Sequence, residues 1–309
     1  MFRTSVLSQR YTECVKPQVH DRWEINRKGL VIYEYQTLGK GAFGQVYKGR
    51  IFKEHRMVTN HDRISDLVNY SEDAIVAVKQ CYEFADQVAK AEFLQEIEIM
   101  KTLFYHRRLV NILHCITATE PLSLIVEYCA YGDLRHYLLN IRYYLAQEIE
   151  KGTNLVDLEH ELELDSTKTI RLRDVLQMGY QVADGLEYLS QKGFVHRDIA
   201  ARNILVTDSG QLKIGDFGLT RYTHTDAVYV AQGGRLPIKW MALEAIERYE
   251  FTTKADVWSF GILLYEIITV GSVPYSDVIP VDGDFRKAML QYLMSGNRLN
   301  QPEQCPDVL

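Results

Sequence analysis

A chain of 309 residues with 47% hydrophobic and 25% charged residues has the make-up of an ordinary folded protein, which excludes a disordered or low-complexity chain. Its net charge of −6 and pI near 5.9 provide no basic footprint for nucleic acid. The five cysteines, Cys14, Cys81, Cys115, Cys129 and Cys305, are scattered with no CxxC pair, which points to reduced thiols rather than disulfides or zinc.

Residues 1–10 lack an apolar signal core, and residues 1–20 show no period, so a flexible lead-in is expected there. Asp21-Arg22-Trp23-Glu24-Ile25-Asn26-Arg27 follows, with Trp23 placed to pin the segment against what comes next. Leu38-Gly39-Lys40-Gly41-Ala42-Phe43-Gly44-Gln45-Val46 supplies G-x-G-x-x-G-x-V. A dinucleotide fold would open a helix here, but Val46-Tyr47-Lys48-Gly49 reads as a strand, so strand–turn–strand is predicted. Gly41 and Gly44 would let bare backbone approach phosphates. Residues 53–73 form a polar insertion, by default a solvated loop.

Ala74-Ile75-Val76-Ala77-Val78-Lys79 is a β-branched strand ending in lysine. Phe93, Leu94, Ile97 and Met100 set a helical period over 86–103, which places Glu96 and Glu98 on different faces. Residues 122–126 read as a strand leading into Glu127-Tyr128-Cys129-Ala130-Tyr131-Gly132-Asp133, where Cys129 serves as a small filler. The stretch 139–170, with exposed Tyr143 and Tyr144, is charge-rich and reads as a surface excursion. A helix is predicted over 174–191 from Val175, Leu176, Val182, Ala183, Leu186 and Leu189.

His196-Arg197-Asp198-Ile199-Ala200-Ala201-Arg202-Asn203, then Asp216-Phe217-Gly218, hold the parts of a phosphoryl-transfer site. Asp198 can accept a hydroxyl proton; Asn203 and Asp216 offer hard oxygen ligands for Mg²⁺. A polar segment with Tyr222 and Tyr229 runs on to Gly234. It leads to Leu236-Pro237-Ile238-Lys239-Trp240-Met241-Ala242, then Leu243-Glu244. The last predicted helix spans 252–270, with Asp256 near its start. The apolar run 260–270 within it is too short for a bilayer and carries Glu266, so no membrane span is expected.

In order and spacing these motifs resemble the protein kinases. The hinge-like Glu127–Leu134 stretch resembles receptor tyrosine kinases of the platelet-derived and fibroblast growth factor receptor group. The resemblance implies an α+β two-lobe fold: a small antiparallel sheet with one helix over about 21–126, a hinge at 127–133, and a mainly helical lobe over 134–309. The insert at about 139–170 would split that lobe, and ATP would lie at the cleft. Lys79 would position phosphates and Glu96 would orient Lys79. Asp198 would be the base, Arg202 would support it, and Asn203 and Asp216 would hold Mg²⁺. Leu38, Gly39, Gly41, Gly44, Val46, Ala77, Val126, Glu127, Cys129 and Leu205 would surround the nucleotide. Asp256 would hold the catalytic-loop backbone. Tyr229, with Tyr222, would be modified and meet Arg197, and Phe217 and Glu244 would be regulatory.

Ala200-Ala201-Arg202 and Lys239-Trp240 resemble tyrosine rather than serine/threonine kinases. That implies protein substrates with tyrosine, phosphotyrosine-reading partners and dimerisation for trans-phosphorylation. It also implies a place in the cytoplasm, or at the cytoplasmic face of the plasma membrane through a segment absent from this chain. Two features depart from the family's pattern. Ala242-Leu243-Glu244 stands where Ala-Pro-Glu is usual, and the chain stops where further helices and an arginine partner for Glu244 are implied. A large lobe of marginal stability is therefore expected, with a weak or inactive interaction module as the alternative reading.

Overall fold

Strand propensity in 74–81 and helical period in 87–102 decide the first part of the molecule, and both appear where the sequence places them. The computed structural model describes residues 21–41, 44–52, 73–150, 172–223, 229–230, 236–276, 284–303 and 305. The expectations for 1–20, Ala42 and Phe43, 53–72, 151–170 and the Tyr229 side chain lie outside the described residues. Two compact units result, one made of 1–101 with 111–128, the other of 102–110 with 129–309.

In the first unit, β1 (Leu30–Lys40), β2 (Gly44–Ile51), β3 (Ala74–Cys81), β4 (Ile112–Ile116) and β5 (Ser123–Glu127) form one antiparallel sheet in the order β1-β2-β3-β5-β4. Helix α1 (Gln87–Thr102) starts where the Asp86 carboxylate accepts the Ala89 N–H at 2.8 Å, a side-chain N-cap. It buries Phe93, Ile97, Ile99 and Met100. Residues 21–25 cover the free edge of β4: Cys115 N–H donates to Trp23 O at 2.7 Å, and Ile25 N–H to Cys115 O at 3.0 Å. An exposed edge strand is a template for unwanted pairing, and this segment occupies it. Trp23 is buried there, as its position ahead of the sheet led one to expect. Asp21, Glu24 and Cys115 bring metal-ligand types together. Their oxygens are already engaged, Asp21 with Lys101 and the Trp23 N–H, Glu24 with Thr117 and the Ala118 N–H.

In the second unit, α2 (Leu134–Glu150) continues well into the charge-rich stretch that reads as a surface excursion. Leu134, Leu138 and Ile141, at i, i+4 and i+7, are buried and carry the helix onward despite the charges. The Asp133 carboxylate caps its start by accepting the His136 N–H at 3.0 Å. Helices α3 (Leu172–Gln191) and α5 (Thr253–Ile268) pack together, flanked by α4 (Leu243–Arg248) and α6 (Phe285–Met294). Three short pairs complete the unit: β6 (Phe194–Val195) with β9 (Arg221–Tyr222), β7 (Ile204–Val206) with β8 (Leu212–Ile214), and β10 (Tyr229–Val230) with β11 (Glu250–Phe251). Among the described residues, no helix is long and apolar enough to cross a membrane.

Candidate active site

The sheet register sorts those residues of the first unit that were expected near the nucleotide. Val46 pairs with Lys79, Lys79 with Leu124, and Ala77 with Val126. Directly paired residues share a face, so Val46, Ala77, Lys79 and Val126 all project from one side. Lys79 Nζ donates to both Glu96 oxygens, at 2.7 and 2.8 Å. Glu96 is 3% exposed, whereas Glu98 lies outside and pairs with Lys101 at 2.7 Å. Helical geometry thus separates the two glutamates as the sequence indicates.

The glycines of the loop divide by role. Gly41 N–H donates to Gly44 O at 2.8 Å, which closes the turn, and a Cβ on Gly39 would meet nothing within 4 Å. A Cβ on Gly44 would lie 2.0 Å from Gln80 O. The backbone of β3 therefore requires glycine at position 44 for its own packing. Leu38 is partly exposed beside this turn. Glu127 ends β5, and its Oε1 accepts the N–H and the Nδ2–H of Asn111 at 2.7 and 2.6 Å. Cys129 is buried, which fits a filler rather than a reactive thiol.

In the second unit, the buried Asp256 carboxylate accepts the His196 N–H at 2.7 Å and the Arg197 N–H at 2.8 Å. Burial pushes its carboxyl up, and these bonds and the neighbouring cations oppose that rise. The His196 ring spans the loop: Nδ1 accepts the Asp198 N–H at 3.3 Å, so Nε2 carries the proton and donates to Gly215 O at 3.1 Å. Asp198 forms an ion pair with Arg202, four residues later. Asn203 Nδ2 donates to Asp198 O at 2.7 Å, and the Gly215 N–H donates to Asn203 O at 2.8 Å. The β7–β8 hairpin thereby brings Asn203 to the residue preceding Asp216, with Leu205 packed along Gly215.

Asp216 stands at φ +56° and Arg197 at φ +74°, left-handed values that non-glycine residues adopt at some cost. Phe217 is 1% exposed and meets His196 edge to face at 5.4 Å. The Arg197 guanidinium lies 4.5 Å from the Phe251 ring centroid, and Phe251 pairs through its backbone with Tyr229. Tyr222 is exposed and packs edge-on against Phe194. Glu244 sits half-buried in the first turn of α4, and no ion pair among the described residues reaches it.

The family model for "Protein tyrosine and serine/threonine kinase" matches residues 32–309. The chain belongs to this kinase family. It is 41% identical over 289 residues to the Caenorhabditis elegans tyrosine-protein kinase F09A5.2, covering 93% of this chain and 32% of that protein. The Drosophila melanogaster tyrosine kinase receptor Cad96Ca is 36% identical over 286 residues, 92% of this chain and 33% of its own. A fibroblast growth factor receptor of Strongylocentrotus purpuratus is 38% identical over 282 residues, 91% of this chain and 26% of its own. The chain thus spans about a third or less of the curated relatives it matches. Kinases of this family use ATP with a divalent metal. The donors present fit such a metal: amide and carboxylate oxygens of Asn203 and Asp216, hard ligands supplied from one hairpin.

Two features of this kinase escaped the sequence. The Asn111–Glu127 bond carries no motif that announces it. Glu266 was visible only as a charge interrupting an apolar run, yet its Oε2 accepts the Ala201 N–H inside the His196–Asn203 segment at 2.9 Å.

Proposed function

We propose that this chain is the catalytic domain of a receptor-type protein tyrosine kinase. It transfers the γ-phosphoryl of ATP to tyrosine hydroxyls on proteins, its own included. The observation that carries this reading is the set of bonds joining Asp198, Asn203 and the Gly215–Asp216 step, which gathers one base and two hard ligands.

In this reading Asp198 takes the phenol proton as the tyrosyl oxygen bonds phosphorus and the bond to ADP breaks. Arg202, paired with Asp198, keeps that carboxylate oriented. Lys79, held by Glu96, would receive the α- and β-phosphates, and Leu38, Val46, Ala77, Val126 and Glu127 of the same unit are residues that the family resemblance assigns to the adenine. Asn203 and Asp216 would hold Mg²⁺, which supplies charge neutralisation on the phosphates when bound. Positioning and charge account for most of the acceleration.

The kinase domain covers 21–309, with 1–20 a juxtamembrane-like lead-in. Phosphate on Tyr229, with Tyr222 secondary, is read by Arg197, and the Phe217 packing and Glu244 respond to that state. Phosphotyrosine-reading domains and a second copy acting in trans are the partners. The place of action is the cytoplasm or the cytoplasmic face of the plasma membrane. Purified protein with ATP, Mg²⁺ and matched peptides bearing tyrosine, serine or phenylalanine tests the acceptor class. Label on the tyrosine peptide alone supports it; equal label on serine contradicts it.

A further inference from the structure

A carboxylate in the middle of an apolar helix is costly to bury unless it is hydrogen-bonded or paired. Glu266 is 2% exposed in α5, and its Oε2 accepts two N–H groups, from the Ala201 backbone and from the Trp240 indole, each at 2.9 Å. Ala201 lies between Asp198 and Asn203. Trp240 belongs to a separate segment, the turn 238–240, which α5 grips a second time through Ser259 Oγ donating to Trp240 O at 2.7 Å.

The indole held this way has a specific neighbour. The Arg202 guanidinium stacks over it, 4.3 Å from the ring centroid, while the same guanidinium pairs with Asp198. Glu266, Ala201, Arg202 and Trp240 therefore close a ring of contacts to which Asp198 is attached. Arginine is a long, rotamer-rich side chain, and a carboxylate at one end with an aromatic plate beneath leaves it one orientation. Trp240 itself is half-buried.

We propose that Glu266 is a positioning residue for the tyrosyl acceptor. It fixes the Trp240 plate relative to the catalytic loop, and with it the place where an incoming peptide rests, so that the hydroxyl at the end of a rigid phenol ring reaches Asp198. This rests on the reading of Asp198 as the base, and it adds a reason for the acceptor class: a plate at fixed distance measures the length of the acceptor side chain. None of Glu266, Ala201, Arg202 and Trp240 is among the residues that the family resemblance assigns to the nucleotide.

The test uses Trp240→Phe, which removes the indole N–H and keeps an aromatic ring under Arg202, and Glu266→Gln, whose amide oxygen can still accept both donors. With Trp240→Phe the KM for a tyrosyl peptide should rise about five- to tenfold, the loss of one hydrogen bond, while the KM for ATP stays within about twofold. Glu266→Gln should lie within about threefold of wild type, and Glu266→Ala combined with Trp240→Phe should be no worse than the more damaging single change. Independently of activity, the Trp240 indole N–H resonance, identified by its absence from Trp240→Phe, should persist in Glu266→Gln and shift upfield in Glu266→Ala. An active wild type whose Trp240→Phe form keeps its peptide KM, or loses kcat with both KM values unmoved, would overturn the positioning role alone. A wild type that labels no tyrosyl peptide would overturn the underlying reading and this role with it.

Discussion

Lys79 and Glu96 meet through two short bonds, 2.7 and 2.8 Å, from one ammonium to both oxygens of one carboxylate. Burying such a pair contributes little to stability, because desolvation offsets the attraction. What the pair does is fix the ammonium in one place. Lys79→Arg keeps the charge but replaces a compact ammonium with a planar fork. It should lower kcat/KM by about 10²-fold, as losing one aimed cation does, with little change in melting temperature. Steady-state kinetics beside a thermal melt checks this; unaltered kinetics would contradict it.

The two oxygens of Asp256 accept two backbone N–H groups of the catalytic loop, from His196 and Arg197. Asp256→Asn turns one acceptor into a donor that faces one of those N–H groups. A buried mismatch of that kind costs about 1–3 kcal/mol. Urea denaturation should show that loss, together with a fall in kcat, since His196 and Asp198 hang from the same loop.

Asp21 is tied to Lys101 Nζ at 2.6 Å and to the Trp23 N–H at 3.0 Å. Burial pushes its carboxyl up, but these bonds outweigh it and hold the pKa below the ordinary 3.8. A depressed folded-state pKa means the folded form binds fewer protons than the unfolded chain. The stabilisation is then complete above the unfolded value and lost as pH falls through the folded one. Melting curves of wild type and Asp21→Asn should differ most near neutral pH and converge in acid below about pH 4. A constant gap across that range would exclude this role for the pair.

Gly44 and Gly39 predict opposite outcomes for one substitution. In Gly44→Ala the new methyl would sit 2.0 Å from the Gln80 carbonyl, which forces β2 away from β3. A destabilisation of about 1–3 kcal/mol is expected by denaturation. Gly39→Ala has open space and should change stability by less than about 1 kcal/mol, its effect appearing instead in the KM for ATP.

Local chemistry made much of this molecule legible in advance. The β-branched run ending at Lys79, the helical period that separates Glu96 from Glu98, and the His196–Asn203 and Asp216–Gly218 motifs all carry their geometry in nearest-neighbour spacing. Contacts across long stretches of chain were not legible. Glu266 reaches Ala201 across 65 residues, and Glu24 reaches Thr117 across 93. Neither leaves a periodic signal, although a charge inside an apolar helix was a hint that a buried donor awaited it. The charge-rich stretch after Leu138 misled because composition outweighed the spacing of Leu134, Leu138 and Ile141, which continues α2. The close approach of Gly44 to Gln80 was not legible either, since a motif glycine can be demanded by a neighbouring strand as well as by a ligand.

The most direct measurement is the phosphoamino-acid content of a protein substrate after incubation with ATP and Mg²⁺, for wild type and for Asp198→Asn. If Asp198 is the base as proposed, its replacement should cut the rate by about 10²–10⁴-fold. Phosphotyrosine is expected from wild type and almost none from Asp198→Asn, with both proteins equally folded. Equal phosphotyrosine from the two, or none from a folded wild type, would contradict that expectation.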